Sequence, residues 1–261
     1  MRTQNLVVSL LIGAAGMTGC GDDTNASTET VEPAGSAPAS AAPTSTAATS
    51  TTASQSAATV AGTDGTQFDD SFDDDRNGWG VIDDSEFGTI AYEGGDYVWA
   101  FKGSVAHWLP AVLGDQFDRG DLEMRNVVVT ADVTVDSGGG VVGVFCRETA
   151  DTDADYQWYE FVARDGFAAI RRADGEANLD VLAETDEVSL PIGTPIAFEA
   201  TCVDDATGAA KLSLSLNGTS VLTATDDDPL GNGVSGLQAW TFPIHDQMDV
   251  RWHDFSVDPG A

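Results

Sequence analysis

The sequence predicts an all-β protein, an antiparallel sandwich preceded by an export signal and an unstructured linker. Three observations carry that prediction. Apolar and polar residues alternate with period two in many short runs. Turn residues interrupt those runs about every ten positions, and no long segment keeps a helical period.

Taken in order, residues 1–20 (MRTQNLVVSLLIGAAGMTGC) have the layout of an export signal. Arg2 is the only charge, an apolar run extends from Leu6 to Met17, and small residues precede Cys20. That run is too short to span a bilayer comfortably. Met17-Thr18-Gly19-Cys20 resembles the lipobox of bacterial lipoproteins, with Met17 where leucine is usual. The resemblance implies acylation of Cys20, a new N-terminus there, and attachment to the outer face of the cell membrane. Several acyl chains suffice for stable anchoring. An ordinary secretory signal with an incidental cysteine is the alternative.

Residues 21–66 are almost entirely Ala, Ser, Thr, Gly and Pro, without an aromatic ring. Such a segment buries too little apolar surface to offset chain entropy, so it is expected to be disordered. As a flexible coil it would hold the folded region on the order of 40 Å from the membrane.

Composition changes at Gln67, and residues 67–261 are expected to form the sandwich. From Asn126 to Asp136, Val127, Val129, Ala131, Val133 and Val135 share one face. Gly138-Gly139-Gly140 then turns the chain into a strand starting at Val141. Alternation returns at Tyr156–Ala163, Ile196–Val203 and Lys211–Leu216, and Asn217-Gly218 is a strong hairpin signal. Val221–Thr225, Ser235–Phe242 and Met248–Val257 supply further strands.

The same periodicity places the two cysteines besides Cys20. Cys146 shares a face with Val142 and Val144, and Cys202 with Ile196, Phe198 and Ala200. Both thiols point inward in an exported protein, so a Cys146–Cys202 disulfide is the natural reading, with two buried free thiols as the alternative.

The succession GVFCRE, YQWYEF, DGFAAIRR, IAFEATC, KLSLSLNG, GLQAW and VRWHDFSV, after the opening FDDSFDDDRNGW, resembles a family of bacterial surface modules. The likeness covers residues 67–258. These modules have a concanavalin A-like or laminin-G-like jelly roll, in the 3-keto-disaccharide hydrolase-like group. The resemblance implies the fold more firmly than a reaction, because its motifs are structural.

A net charge of −32 across 261 residues repels nucleic acid and anionic membrane surfaces. It also favours solubility and attracts cations. Gly231–Gly236 spells a dinucleotide fingerprint, but a strand follows it where a helix is required. Jelly-roll glycosidases of the retaining kind need Glu-x-Asp-x-x-Glu. Here Glu184-Thr185-Asp186 is followed by Ser189 where the second glutamate belongs. His107, His245 and His253 show no ligand spacing.

Two features point to ligands. Asp73, Asp75 and Asn77, with Gly78 at the sixth position and Asp84 at the twelfth, approximate a calcium loop. Asp84 replaces the usual bidentate glutamate, and no helices flank the loop. The acidic loop Asp151–Asp155 is a weaker match of the same kind, with Tyr156 where glycine is needed. Separately, Tyr156, Trp158 and Glu160 share an outward face, which Arg147, Gln238 and Trp240 are expected to join. Sugars stack on aromatic rings while polar neighbours bind their hydroxyls, so this set is a candidate glycan platform. A half-buried outer sheet with ordinary cross-strand pairs is the alternative. The sequence therefore favours non-catalytic carbohydrate recognition at the cell surface. A glycoside-cleaving hydrolase and a purely structural envelope module are the alternatives.

Overall fold

A computed structural model describes residues 67–84, 88–103, 106–110, 123–149, 156–174, 178–241 and 247–260, without the side chains of Asp84, Asn178 and residues 106–110. The signal with Cys20, the linker 21–66, the Asp84 carboxylate, the loop 151–155, the His107 ring and His245 lie outside them.

The described residues form fifteen strands. These are β1 (Phe68–Asp70), β2 (Ile82–Asp84), β3 (Gly88–Glu93), β4 (Asp96–Lys102), β5 (Ala106–Pro110), β6 (Val127–Gly138), β7 (Gly140–Thr149) and β8 (Gln157–Arg164). They continue as β9 (Phe167–Asp174), β10 (Asn178–Thr185), β11 (Ile196–Asp204), β12 (Ala210–Leu216), β13 (Thr219–Asp226), β14 (Val234–Thr241) and β15 (Gln247–Pro259). The larger sheet runs β13-β12-β11-β6-β15-β4-β3-β2, with β1 also on β15. The smaller runs β10-β9-β8-β7-β14-β5. Strands pair antiparallel in both, so the architecture is the sandwich that the alternation predicts.

One apolar core lies between the sheets. The larger contributes Val129, Ala131, Val133, Phe198, Leu214 and Trp252, and the smaller Val142, Val144, Phe161, Ile170 and Leu237. Each of the Val, Leu, Ile and Phe side chains among them contributes roughly 1.5–3 kcal/mol on burial. Asn217 and Gly218 take φ of 52° and 73°, the two positive values that a tight hairpin between β12 and β13 requires.

The opening FDDSFDDDRNGW folds around rings. Phe72, Trp79 and Tyr97 pack together, with Trp79 edge-on to Phe255 at 5.2 Å. Buried Asp70 accepts the Phe72 N–H and the Trp79 Nε1–H, both at 2.8 Å. Asp75 closes a turn by accepting the Gly78 N–H at 3.0 Å, while Asp74 pairs with Arg76. Among the described residues no three His, Cys, Asp or Glu side chains are placed to hold a metal ion. Asp73, Asp75 and Asn77 lie in the turn that leads into Trp79.

Cys146 on β7 and Cys202 on β11 form a disulfide across the core, their Cα atoms 6.7 Å apart. A second tie lies beside it. Arg147 is fully buried, donating to the Arg125 and Leu230 carbonyls and to Asp204 at 2.8 Å. Burial raises the Asp204 pKa, but hydrogen bonds from Arg125 and Arg147 outweigh it and hold the carboxyl below its ordinary value.

Candidate functional site

The smaller sheet turns one face to the core and leaves the other outward. On β8, Tyr159 and Phe161 join the core, so Trp158, Glu160, Val162 and Arg164 take the outer face. On β9, Ala168 and Ile170 are inward and Phe167, Ala169 and Arg171 outward. Cross-strand register arranges these residues in rows. One row is Trp240, Val141, Arg164, Phe167, the pairs Trp240–Val141 and Arg164–Phe167 being direct partners. The next is Gln238, Gly143, Val162, Ala169, and the third is Gly236, Phe145, Glu160, Arg171, Val181.

The middle row carries no aromatic ring, and two of its members are Gly143 and Ala169. At Gly143 a Cβ would fall 2.1 Å from the Phe161 carbonyl oxygen, so only glycine fits there. Across this row Arg171 reaches from the third row to the first. Its guanidinium carbon lies 5.7 Å from the centre of the Phe167 ring and 5.3 Å from that of Trp240. Arg164 stacks on Phe167 as well, at 5.3 Å. Cations over aromatic faces are held by the ring quadrupole, most firmly where water is partly excluded.

Glu160 is the charged partner. Its carboxylate lies 3.0 Å from Arg171 Nε and is only 2% exposed. Burial pushes its pKa up from the ordinary value, while the positive charge of Arg171 pulls the other way and does not cancel the rise. Gln238 is buried and donates to the Val144 carbonyl at 3.3 Å. Trp158 and Trp240 are half-buried, as is Tyr156 just before β8. On the rim strand β10, Leu179 and Val181 are 45% and 53% exposed, and Val181 sits directly opposite Arg171.

The structure thus brings Trp158, Glu160, Gln238 and Trp240 onto one face, with Tyr156 at its margin. Arg147 does not join them. Its φ is +54°, at a bulge that shifts the register of β7 against both β8 and β14. The extra residue breaks the period-two alternation and sends the side chain to the inter-sheet ion pair. Phe167, Arg164 and Arg171 were not singled out from the sequence. Their signal was the alternation of Phe167, Ala169 and Arg171 against Ala168 and Ile170.

The outer face of the larger sheet has a different character. His253 sits at a β15 bulge with Nδ1 2.7 Å from Asp96 and Nε2 2.9 Å from the Thr134 hydroxyl. Arg251 ties Asp96 to Asp136 at 3.2 and 3.1 Å. Farther along that sheet a shallow depression of about 520 Å³ is lined by Thr201, Lys211, Ser213, Thr223 and Thr225, without an aromatic ring.

No protein-family model matches the chain, and no curated protein does. Solved structures match its fold. A Bacillus subtilis protein of unknown function with a galectin-like fold superposes with a TM-score of 0.54 at 13% identity, covering 74% of this chain and 94% of its own. A prokaryotic β-1,3-1,4-glucanase (lichenase) from a mouse hindgut metagenome gives 0.54 at 12%, covering 74% and 99%. The metal-free carbohydrate recognition domain of Emp46p gives 0.50 at 10%, covering 70% and 88%. At these identities the likeness establishes architecture alone: the chain is a galectin-like, jelly-roll β-sandwich.

Proposed function

We propose that this protein recognises carbohydrate without cleaving it, through the outer face of its smaller sheet. The observation that carries the reading is the set of half-buried rings, Trp158, Phe167 and Trp240, grouped with the polar Arg171, Glu160 and Gln238 on one rigid sheet. Rings supply stacking surfaces and the polar groups fix orientation. That a carbohydrate recognition domain and a glucanase have this architecture is in keeping with the reading.

The glycoside-cleaving alternative draws on Glu160, a buried carboxyl with a raised pKa, which suits a general acid. Glycoside hydrolysis uses two carboxylates at a set separation. The charged group in contact with Glu160 is a guanidinium, which favours binding over cleavage. The lipobox-like Met17–Cys20 further supports placing the protein at the outer face of the cell membrane, carried on the linker 21–66 and anchored through Cys20.

A glycan array probed with the purified protein tests the reading. Trp240→Ala should weaken any interaction found by about 1–3 kcal/mol, the scale of losing a contact anchor, in a protein that still folds cooperatively. Absence of binding to every glycan, or undiminished binding by Trp240→Ala, would overturn it.

A further inference from the structure

Resting on that reading of the outer face, we propose that Arg171 is a carboxylate receptor and that the ligand is an acidic saccharide, one carrying a carboxylate of the uronate kind. A guanidinium offers five N–H donors in a planar fork that matches a carboxylate bidentately. In Arg171 the Nε edge is turned to Glu160, while neither Nη1 nor Nη2 makes a hydrogen bond among the described residues. The plane is held in place by Phe167 and Trp240. The side chain is 14% exposed, sheltered yet reachable. A neutral hydroxyl would use one of the free donors. A carboxylate uses two in parallel, and partial exclusion of water strengthens that contact.

The distribution of charge points the same way. The chain carries −32 overall, and on the larger sheet Asp132 stands directly opposite Asp254. The outer face of the smaller sheet balances Arg164 and Arg171 against Glu160 and Glu184. An anion is repelled from the first surface and finds on the second an open guanidinium between two rings. The free edge of the fork and the adjoining Trp240 ring together specify a sugar ring with a carboxylate attached, beyond a free carboxylate.

The test is an array of uronate- and sialate-bearing glycans, each paired with its carboxyl-reduced counterpart, with acetate as a competing free carboxylate. Binding confined to the carboxylated members is expected, with acetate competing only at far higher concentration. Arg171→Lys keeps the charge but loses the fork and should weaken binding about tenfold or more. The double variant Glu160→Gln/Arg171→Gln removes the ion pair without stranding a charge, and should fold and lose the carboxylate preference. Equal binding of reduced and carboxylated glycans would overturn this inference and leave carbohydrate recognition standing. Failure to bind either class would overturn both. Unchanged affinity in Arg171→Lys would show that Arg171 serves only as the counter-ion of Glu160. Acetate competing as well as the glycans would remove the saccharide from the assignment.

Discussion

Replacing both disulfide cysteines, Cys146→Ala with Cys202→Ala, should lower stability chiefly by freeing the unfolded chain. The bond closes a loop between residues 56 apart, and at that separation the chain-entropy model assigns it about 4 kcal/mol. For a domain of this size each kcal/mol moves the melting temperature by roughly 2–4 °C, so a fall of about 8–16 °C is expected. The variant should still fold, because the common core and the Arg147–Asp204 pair also join the sheets. Calorimetric melts of the oxidised protein and the double variant measure the fall, and urea titration locates its origin. Without the cross-link the unfolded state exposes more surface, so the urea m-value should rise. A melting temperature within about 2 °C of the oxidised protein would refute the estimate. A large fall with an unchanged m-value would show that the bond acts through native packing.

Two further outcomes are expected. The native Glu160 pKa is raised above its ordinary 4.5, so this group contributes stability below that pH and loses it as pH climbs through the raised value. The stability of the protein relative to Glu160→Gln should therefore decline as pH rises above 4.5, and a constant difference in pH-dependent melts would contradict the assignment. At the other end of the chain, Cys20→Ser should abolish palmitate labelling and release the protein from the membrane fraction. Equal labelling of the variant would dismiss the lipid anchor.

Much of the fold was legible because alternation reports burial directly. The Val127–Val133 run lies on one core face of β6, and Cys146 and Cys202 meet across the core because each shares a face with buried neighbours. The outer face was legible in part. Period two says which side of a sheet Trp158 and Glu160 occupy, but not how far a long side chain travels. Arg171 crosses an intervening row without aromatic rings to reach Trp240, and Gly143 and Ala169 lie in register in that row. Arg147 was misplaced because a bulge resets the alternation without any glycine to announce it. The His253 contacts with Asp96 and Thr134 join residues 157 and 119 positions apart, which no local pattern encodes.

The place of β15 in the larger sheet has a consequence for how the protein is made. It is the last strand in chain order, yet it pairs with β6, β4 and β1, so it is the seam on which that sheet closes. Until residues 247–259 have left the ribosome, β6 has a neighbour on one side only and β4 only the β3 hairpin. Long-range pairing of this kind is slow because chain closure precedes the contacts that reward it. Closure of the larger sheet waits for the thirteen-residue β15.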